Sequence, residues 1–160
     1  MTDNKFTHID SDGNPSMVDV GSKAVSQRIA TARSTVQLPE EVISMLDNKE
    51  IVTKKGPVFQ TAILAGIMAA KKTSDLIPLC HPLQLNKCEV DIKVVNGNVE
   101  IQCVVGCHGK TGVEMEALTG ASVAALTIYD MCKAFGHNIN ILETKLVQKS
   151  GGKNDFDSRK

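Results

Sequence analysis

The sequence predicts an α+β domain in which helices cover one face of an antiparallel sheet. Residues 88–105 alternate between apolar and polar side chains, and Asn96-Gly97, the pair most typical of a type I′ hairpin turn, divides them into two strands. Segments with helical periodicity flank this hairpin, and a further alternating segment lies towards each end of the chain. Because the chain has 160 residues and is 42% hydrophobic, we expect one domain with one core.

The first part of the chain predicts a strand and a short helix. Residues 1–16 are polar and aperiodic, so we expect a flexible segment there. The mixed pattern after Val18 predicts a long strand that ends at Leu38. Pro39-Glu40-Glu41 then predicts a short helix to about Asp47, because proline suits the first helical position and carboxylates suit the positive end of the helix dipole.

The middle of the chain predicts a helix followed by the hairpin. Lys54-Lys55-Gly56-Pro57 is typical of a basic turn, and apolar residues spaced by three and four predict a helix from about Val58 to Thr73. Two prolines between Leu76 and Pro82 exclude regular structure in that loop. The hairpin strands come next.

The last part predicts a long helix and a final strand. We expect the helix from Thr111 to about Phe135, with Thr111 and Glu114 forming a capping box and Gly136 ending it. Alternation over residues 139–147 predicts the strand.

The predicted order of elements is strand, helix, helix, strand, strand, helix, strand. A ferredoxin-like arrangement is the simplest fold with this order, with all helices on one face of the sheet. We expect the folded domain to cover residues 17–150 and the polar residues 151–160 to form a flexible tail.

Composition limits the function. Lys plus Arg equals Asp plus Glu at 18 each, which argues against a nucleic-acid protein held by bulk charge. No apolar run is long enough for a membrane span. The five cysteines form no C-x-x-C pair and are typical of reduced thiols, so a cytoplasmic protein is expected. No cofactor is expected, and Cys80-His81 with Cys107-His108 fits no zinc pattern.

Gly109-Lys110-Thr111 lies between a predicted strand and a predicted helix, the position of a phosphate loop. A nucleotide-binding P-loop requires glycine five residues earlier, where Val104 stands, so a simple turn with a capping threonine is favoured. Free N–H groups at the helix start remain able to hold an anion.

The helix after this turn is nearly all small or apolar from Ala117 to Leu126, which predicts burial on most sides. Its acidic residues Glu114, Glu116 and Asp130 are therefore either exposed helix ends or functional groups, with Asp130 free to pair with Lys133. Glu116 and Asp130 lie about 21 Å apart along the helix and about 320° around it. The two share a face but cannot both touch one small reaction centre, so they either serve opposite ends of an extended ligand or belong to different sites.

Two further groups are candidates. His81 lies in the proline-stiffened loop, where a histidine is either exposed or held towards a ligand. Lys54, Lys55, Lys149 and Lys153 are individually typical of solvated lysines, and together they suit a polyphosphate.

Four segments together resemble one enzyme family. Residues 110–134 (KTGVEMEALTGASVAALTIYDMCKA), 76–83 (LIPLCHPL), 17–20 (MVDV) and 149–153 (KSGGK) are similar to the cyclic pyranopterin monophosphate synthases, also called molybdenum cofactor biosynthesis protein C. The resemblance extends from about His8 to Phe156.

The resemblance implies a ferredoxin-like catalytic domain that assembles as a hexamer, a trimer of dimers. It implies a lyase that converts a cyclised dihydro-GTP to cyclic pyranopterin monophosphate and releases pyrophosphate in molybdenum cofactor biosynthesis. It places catalysis on Asp130, Lys133 and Lys55. It places substrate contacts on Leu79, Cys80, His81, Glu114, Met115, Glu116, Arg28 and Lys149.

Two alternatives remain at this point. A ferredoxin-like module that binds a small molecule without catalysis would use the same lysines, and a Cys/His metalloprotein would require a stoichiometric metal. Because the candidate residues come from widely separated segments, we expect the site at a subunit interface, with Glu116 and Asp130 of one cavity supplied by different chains.

Overall fold

The structure is a computed structural model that describes residues 8–159. Its strands are β1 (Ser26–Gln37), β2 (Val52–Thr53), β3 (Gly56–Pro57), β4 (Leu85–Val95), β5 (Asn98–Gly109), β6 (Asn140–Ser150) and β7 (Phe156–Asp157). Its helices are α1 (Glu40–Ile43), α2 (Val58–Lys71), α3 (Thr73–Leu76) and α4 (Glu114–Cys132), and a single 3-10 turn (Lys133–Phe135) follows α4.

The main sheet has the order β4-β5-β1-β6-β7, and every neighbouring pair is antiparallel. Its four long strands and the two long helices follow one another as β1, α2, β4, β5, α4 and β6. With β1 and β5 in the centre, this is the βαββαβ order of a ferredoxin-like fold. The predicted α+β fold class is confirmed.

The core lies between the sheet and the paired helices α2 and α4. Alternate residues of β1 and β5 are buried there, including Ala32 opposite Cys103 and Val36 opposite Val99. Small residues of α4 such as Ala121 complete this layer. The two helices approach each other closely where both have glycine. A Cβ added to Gly66 would lie only 2.9 Å from the Gly120 carbonyl oxygen.

The predicted hairpin is confirmed, with β4 and β5 in register from Cys88–Val105 to Val95–Asn98. Asn96 and Gly97 have φ values of 51° and 78°. Both central residues of a type I′ turn require positive φ, which explains why this pair stands here.

The capping box predicted for α4 is wrong. The helix begins at Glu114, Val113 occupies the N-cap position, and no side chain caps the helix start. The reason is that the Glu114 carboxylate turns away to Lys149 of β6. Gly136 does follow the helical segment, after the 3-10 turn, with φ of 135°.

Helix α1 ends at Ile43, four residues before the predicted end at Asp47. The chain turns tightly instead, with Asn48 and Lys49 in the left-handed region at φ 44° and 66°. This turn brings the Glu50 carboxylate to the start of α2. There Oε1 accepts hydrogen bonds from the N–H groups of Ile51 and Phe59, both at 2.8 Å, and Oε2 accepts one from Gln60 at 3.0 Å.

Three other features differ from the predicted elements. No sequence pattern predicted the β2–β3 hairpin around Lys54-Lys55, the short helix α3 or the strand β7. Strand β7 lies in the segment expected to form a tail and pairs with β6. Strand β6 extends to Ser150, three residues beyond its predicted end. The first seven residues of the predicted flexible segment, 1–16, lie outside the described part of the chain.

Candidate active site

The candidate residues form two groups at opposite ends of α4. Two adjoining cavities of about 430 Å³ and about 120 Å³, here called the first and the second cavity, lie at its start. The first is lined by Leu79, Cys80, His81, Glu114, Met115 and Glu116, and the second by Arg28, Glu114 and Lys149. The remaining three, Lys55, Asp130 and Lys133, meet at the other end and are called the Asp130 cluster.

The loop after α3 forms one wall of the first cavity. It carries Leu79, Cys80 and His81 against the first turn of α4. Because Pro78 and Pro82 restrict this loop, the three side chains are held in a stiff segment. Nε2 of His81 lies 2.7 Å from the carbonyl oxygen of Val18, and since a carbonyl only accepts, this nitrogen carries the proton.

Glu116 is the buried acid of the first cavity, with 4% of its surface exposed. Burial raises the pKa of its carboxyl, its own backbone N–H lowers the pKa, and the charge of nearby Glu114 raises it. Burial also raises the thiol pKa of Cys80 and of Cys107, and in both cases the Glu116 charge adds to the effect. The sequence left open whether Glu116 is an exposed helix end, and its burial excludes that interpretation.

The second cavity is basic. Lys149 Nζ lies 3.0 Å from Glu114 Oε1, and Arg28 donates from Nε to the Gly109 carbonyl at 3.3 Å. Lys153, in the loop between β6 and β7, completes the lining. The Glu114 carboxylate also lies against Gly112, where a Cβ would clash with Oε2. The start of α4, which the sequence offered as an anion site, therefore has a carboxylate beside it.

In the Asp130 cluster, one carboxylate lies between two ammonium groups. Lys133 Nζ is 2.8 Å from Asp130 Oδ1, and Lys55 Nζ is 2.9 Å from both Oδ2 and the backbone carbonyl of Asp130. Hydrogen bonds from Lys133 and then Lys55 lower the pKa of Asp130 to about 2, and the bond to Asp130 raises the pKa of Lys133. All three side chains are about half exposed, so the cluster is open to a ligand.

The two groups do not meet within one chain. Glu116 and Asp130 belong to the same continuous helix, and a rise of about 1.5 Å per residue places them about 21 Å apart along its axis. The structure therefore brings together eight candidates at one end of α4 and three at the other.

The first cavity is also lined by residues that were not predicted from the sequence as substrate contacts. Val18, Val20 and Lys23 reach it from the amino-terminal side, and Thr111 reaches it from the turn before α4. The segment MVDV, which contributed to the family resemblance, was the only signal for Val18 and Val20. No local pattern pointed to Lys23.

Within residues 8–159, no three His, Cys, Asp or Glu side chains are grouped closely enough to hold a metal ion. No helix in this range is long and apolar enough to cross a membrane.

A ferredoxin-like domain with a cavity of this size, a buried carboxyl and an adjoining basic cavity is suited to bind an anionic small molecule. Cavities of about 300–1,000 Å³ are typical of small-molecule sites. The cations beside the carboxylates suit phosphate groups.

The chain belongs to the MoaC family, whose model matches residues 17–152. It is 53% identical over 153 residues to the cyclic pyranopterin monophosphate synthase of Xanthomonas axonopodis pv. citri, covering 95% of this chain and 93% of that protein. It is 52% identical over 155 residues to a molybdenum cofactor biosynthesis bifunctional protein of Synechocystis, covering 94% of this chain. It is 48% identical over 171 residues to molybdenum cofactor biosynthesis protein 1 of Dictyostelium discoideum, covering 96% of this chain.

The relatives differ in length. The chain spans 45% of the Synechocystis protein and 27% of the Dictyostelium protein. The matched region therefore occurs both as nearly a whole protein and as part of longer ones.

Proposed function

We propose that this chain is a cyclic pyranopterin monophosphate synthase. It converts the cyclised dihydro-GTP to cyclic pyranopterin monophosphate and releases pyrophosphate, as part of molybdenum cofactor biosynthesis. The observation that carries this proposal is the match to the MoaC family over residues 17–152, together with about 50% identity to relatives of that name over nearly their full length.

The cavities supply the contacts that such a substrate needs. The first cavity offers the rigid loop of Cys80 and His81 on one side and Glu116 on the other, with acceptors for the N–H groups of a purine-derived ring. The second cavity offers Arg28, Lys149 and Lys153, which suit a triphosphate. The two cavities share Gly112 and Glu114, so one extended ligand can occupy both.

The Asp130 cluster supplies the proton transfers in this proposal. With a pKa of about 2, Asp130 is ionised at neutral pH, whereas the raised pKa of Lys133 keeps the lysine protonated. Lys133 is thus the first proton donor, and Asp130 orients it. Substrate phosphates that attract Lys55 or Lys133 remove hydrogen bonds from Asp130, which raises its pKa and makes it a better base.

We further propose that the working site is composite, with the cavities of one chain completed by the Asp130 cluster of another. The separation of about 21 Å along α4 supports this proposal. A subunit contact could bury the apolar side chains that α2 and α4 expose on their outward surfaces, which include Leu64, Met68 and Leu126. A hexamer built as a trimer of dimers accommodates such sharing, and the five free cysteines are in keeping with a reducing cytoplasm.

The experiment is to incubate the purified protein with the cyclised dihydro-GTP and to follow pyrophosphate and the cyclic monophosphate product. We expect turnover by the wild type and a loss of about 10²–10⁴-fold in kcat for Asp130→Asn, the usual range for removal of a general acid–base group. Asp91→Asn is the control, because Asp91 is exposed on a strand of the sheet away from both groups.

Two results would contradict the proposal. Tight binding of the substrate without release of pyrophosphate would favour the alternative of a binding module. A folded Asp130→Asn variant with wild-type turnover would remove Asp130 from the catalytic step.

A further inference from the structure

The first cavity is covered on one side by an amino-terminal arm, defined here as residues 8–25. The arm contains no helix or strand of the main sheet, and most of its residues are exposed. Val18, Val20 and Lys23 of the arm nevertheless line the cavity. Few buried apolar contacts hold the arm, so its position depends on specific polar contacts.

Two side chains from the body of the domain provide such contacts. His81 bonds to the Val18 carbonyl, as described above. Lys110, in the turn between β5 and α4, donates from Nζ to the Gly21 carbonyl at 2.5 Å. Within residues 8–159 no carboxylate lies within ion-pair distance of Lys110, and its ammonium group bonds to the Gly21 carbonyl.

The carbonyl that Lys110 binds belongs to a small ordered turn. The Gly21 N–H donates to Asp19 Oδ1 at 2.7 Å, and the Lys23 N–H donates to the Val20 carbonyl at 3.1 Å. Fixing Gly21 therefore fixes the backbone of Lys23 two residues later. Lys23 is the only Lys or Arg among the described residues that line the first cavity.

We propose that Lys110 is a positioning residue that holds the arm across the first cavity and thereby presents Lys23 to an anionic part of the substrate. This inference rests on the proposed function for the identity of the substrate. It gives Gly109-Lys110-Thr111 a role other than that of a phosphate loop: the ammonium group binds the chain's own carbonyl, and the ligand is contacted by Lys23.

The test compares Lys110→Met, which removes the donor, with Lys110→Arg, which retains a donor. Lys93→Met, an exposed lysine of β4, is the control. Hydrogen exchange on the millisecond-to-second scale is measured without substrate, in peptides that cover residues 17–25. We expect faster exchange in these peptides for Lys110→Met but not for Lys110→Arg or Lys93→Met. Exchange in β5 and α4 and the Tm are expected to stay unchanged in all three variants.

Kinetics supply the second measurement. Lys110→Met is expected to raise KM roughly three- to tenfold, the scale of one hydrogen bond, with kcat close to wild type because the Asp130 cluster is untouched. Lys110→Arg restores KM. Lys23→Met raises KM similarly, and the double variant Lys23→Met/Lys110→Met is no worse than either single variant, because both changes remove the same contact.

Three results would overturn the inference. A raised KM with unchanged arm exchange would make Lys110 a direct ligand. Additive effects of the two substitutions would separate Lys110 from Lys23. Unchanged exchange together with unchanged KM would remove Lys110 from the site. Because hydrogen exchange is measured without substrate, it tests whether Lys110 holds the arm even if the wild-type protein shows no turnover.

Discussion

Glu116 and Asp130 are acids of the same helix with opposite environments. Burial raises the pKa of Glu116, while two ammonium groups lower that of Asp130 to about 2. Pairs of carboxyl groups whose pKa values are driven apart commonly have different roles. Glu116 is suited to hold substrate inside the cavity, and Asp130 is suited to orient Lys133 and to act as a base when substrate draws the lysines away from it.

The raised pKa of Glu116 predicts a pH-dependent stability. Folding disfavours the ionised carboxylate, so the contribution of Glu116 to the free energy of unfolding falls as pH rises from the ordinary value of 4.5 through the raised value. Glutamine cannot ionise, so Glu116→Gln removes this pH-dependent loss of stability. We therefore expect the variant to gain stability relative to wild type as the pH rises above about 4.5, as measured by urea unfolding.

The control for this experiment is Glu41→Gln, whose side chain is exposed in α1. Its difference from wild type is expected to stay constant over the same pH range. If the difference between Glu116→Gln and wild type also stays constant, the burial of the Glu116 carboxyl does not control this part of the pH dependence.

At the scale of elements, α2 and α4 pack together through two glycines. A Cβ on Gly66 would lie 2.9 Å from the Gly120 carbonyl oxygen and 3.2 Å from Cγ2 of Val90. Alanine gains about 1 kcal/mol of helix propensity over glycine. Displacing packed backbone costs about 1–3 kcal/mol and sometimes more.

We expect the packing cost to exceed the propensity gain, so that Gly66→Ala lowers the free energy of unfolding by about 1–2 kcal/mol. Gln60→Ala, at an exposed position of the same helix, is the control and should stay within about 0.5 kcal/mol of wild type. Urea midpoints measure both. A stabilised Gly66→Ala protein would mean that the helices separate at little cost.

The start of α2 depends on a residue outside the helix. Pro57 has no side-chain donor or acceptor, and the Glu50 carboxylate instead accepts from the N–H groups of Phe59 and Gln60 in the first turn of α2. Glu50→Ala is expected to lower stability by about 1–2 kcal/mol, the cost of losing a helix cap. It should also speed hydrogen exchange in the first turn of α2. Glu41→Ala is the matched control, and unchanged exchange at Phe59 and Gln60 would contradict this role of Glu50.

At the scale of the whole molecule, the proposed composite site makes a quantitative prediction. Asp130→Asn and Glu116→Gln chains are mixed, unfolded and refolded together. If each dimer contains two shared sites, random pairing makes half of the dimers mixed, and each mixed dimer has one intact site. We expect about a quarter of wild-type activity from the mixture.

Each variant refolded alone is the control and should remain inactive. A mixture that recovers no activity would place all the required groups within one chain. That outcome would require α4 to bend or the substrate to span both ends, because the helix is continuous from Glu114 to Cys132.

Much of the fold was predictable because its signals are local. Asn96-Gly97 specified the hairpin turn, and alternation specified its two strands. The length of α4 followed from its small and apolar residues, and that length separated Glu116 from Asp130. The capping box was wrong because its pattern considers only neighbours in sequence, and Glu114 instead bonds to Lys149, 35 residues away.

The sequence by itself determined the α+β topology, the family resemblance and the separation of two polar groups along one helix. Only the tertiary structure decided that Glu116 is buried while Asp130 is exposed, that Lys55 joins Asp130 from 75 residues away, and that Lys110 binds the arm at Gly21. The physical reason is that periodicity records which side of an element faces the core. The partner of a charged side chain depends on which distant segments packing brings within hydrogen-bonding distance.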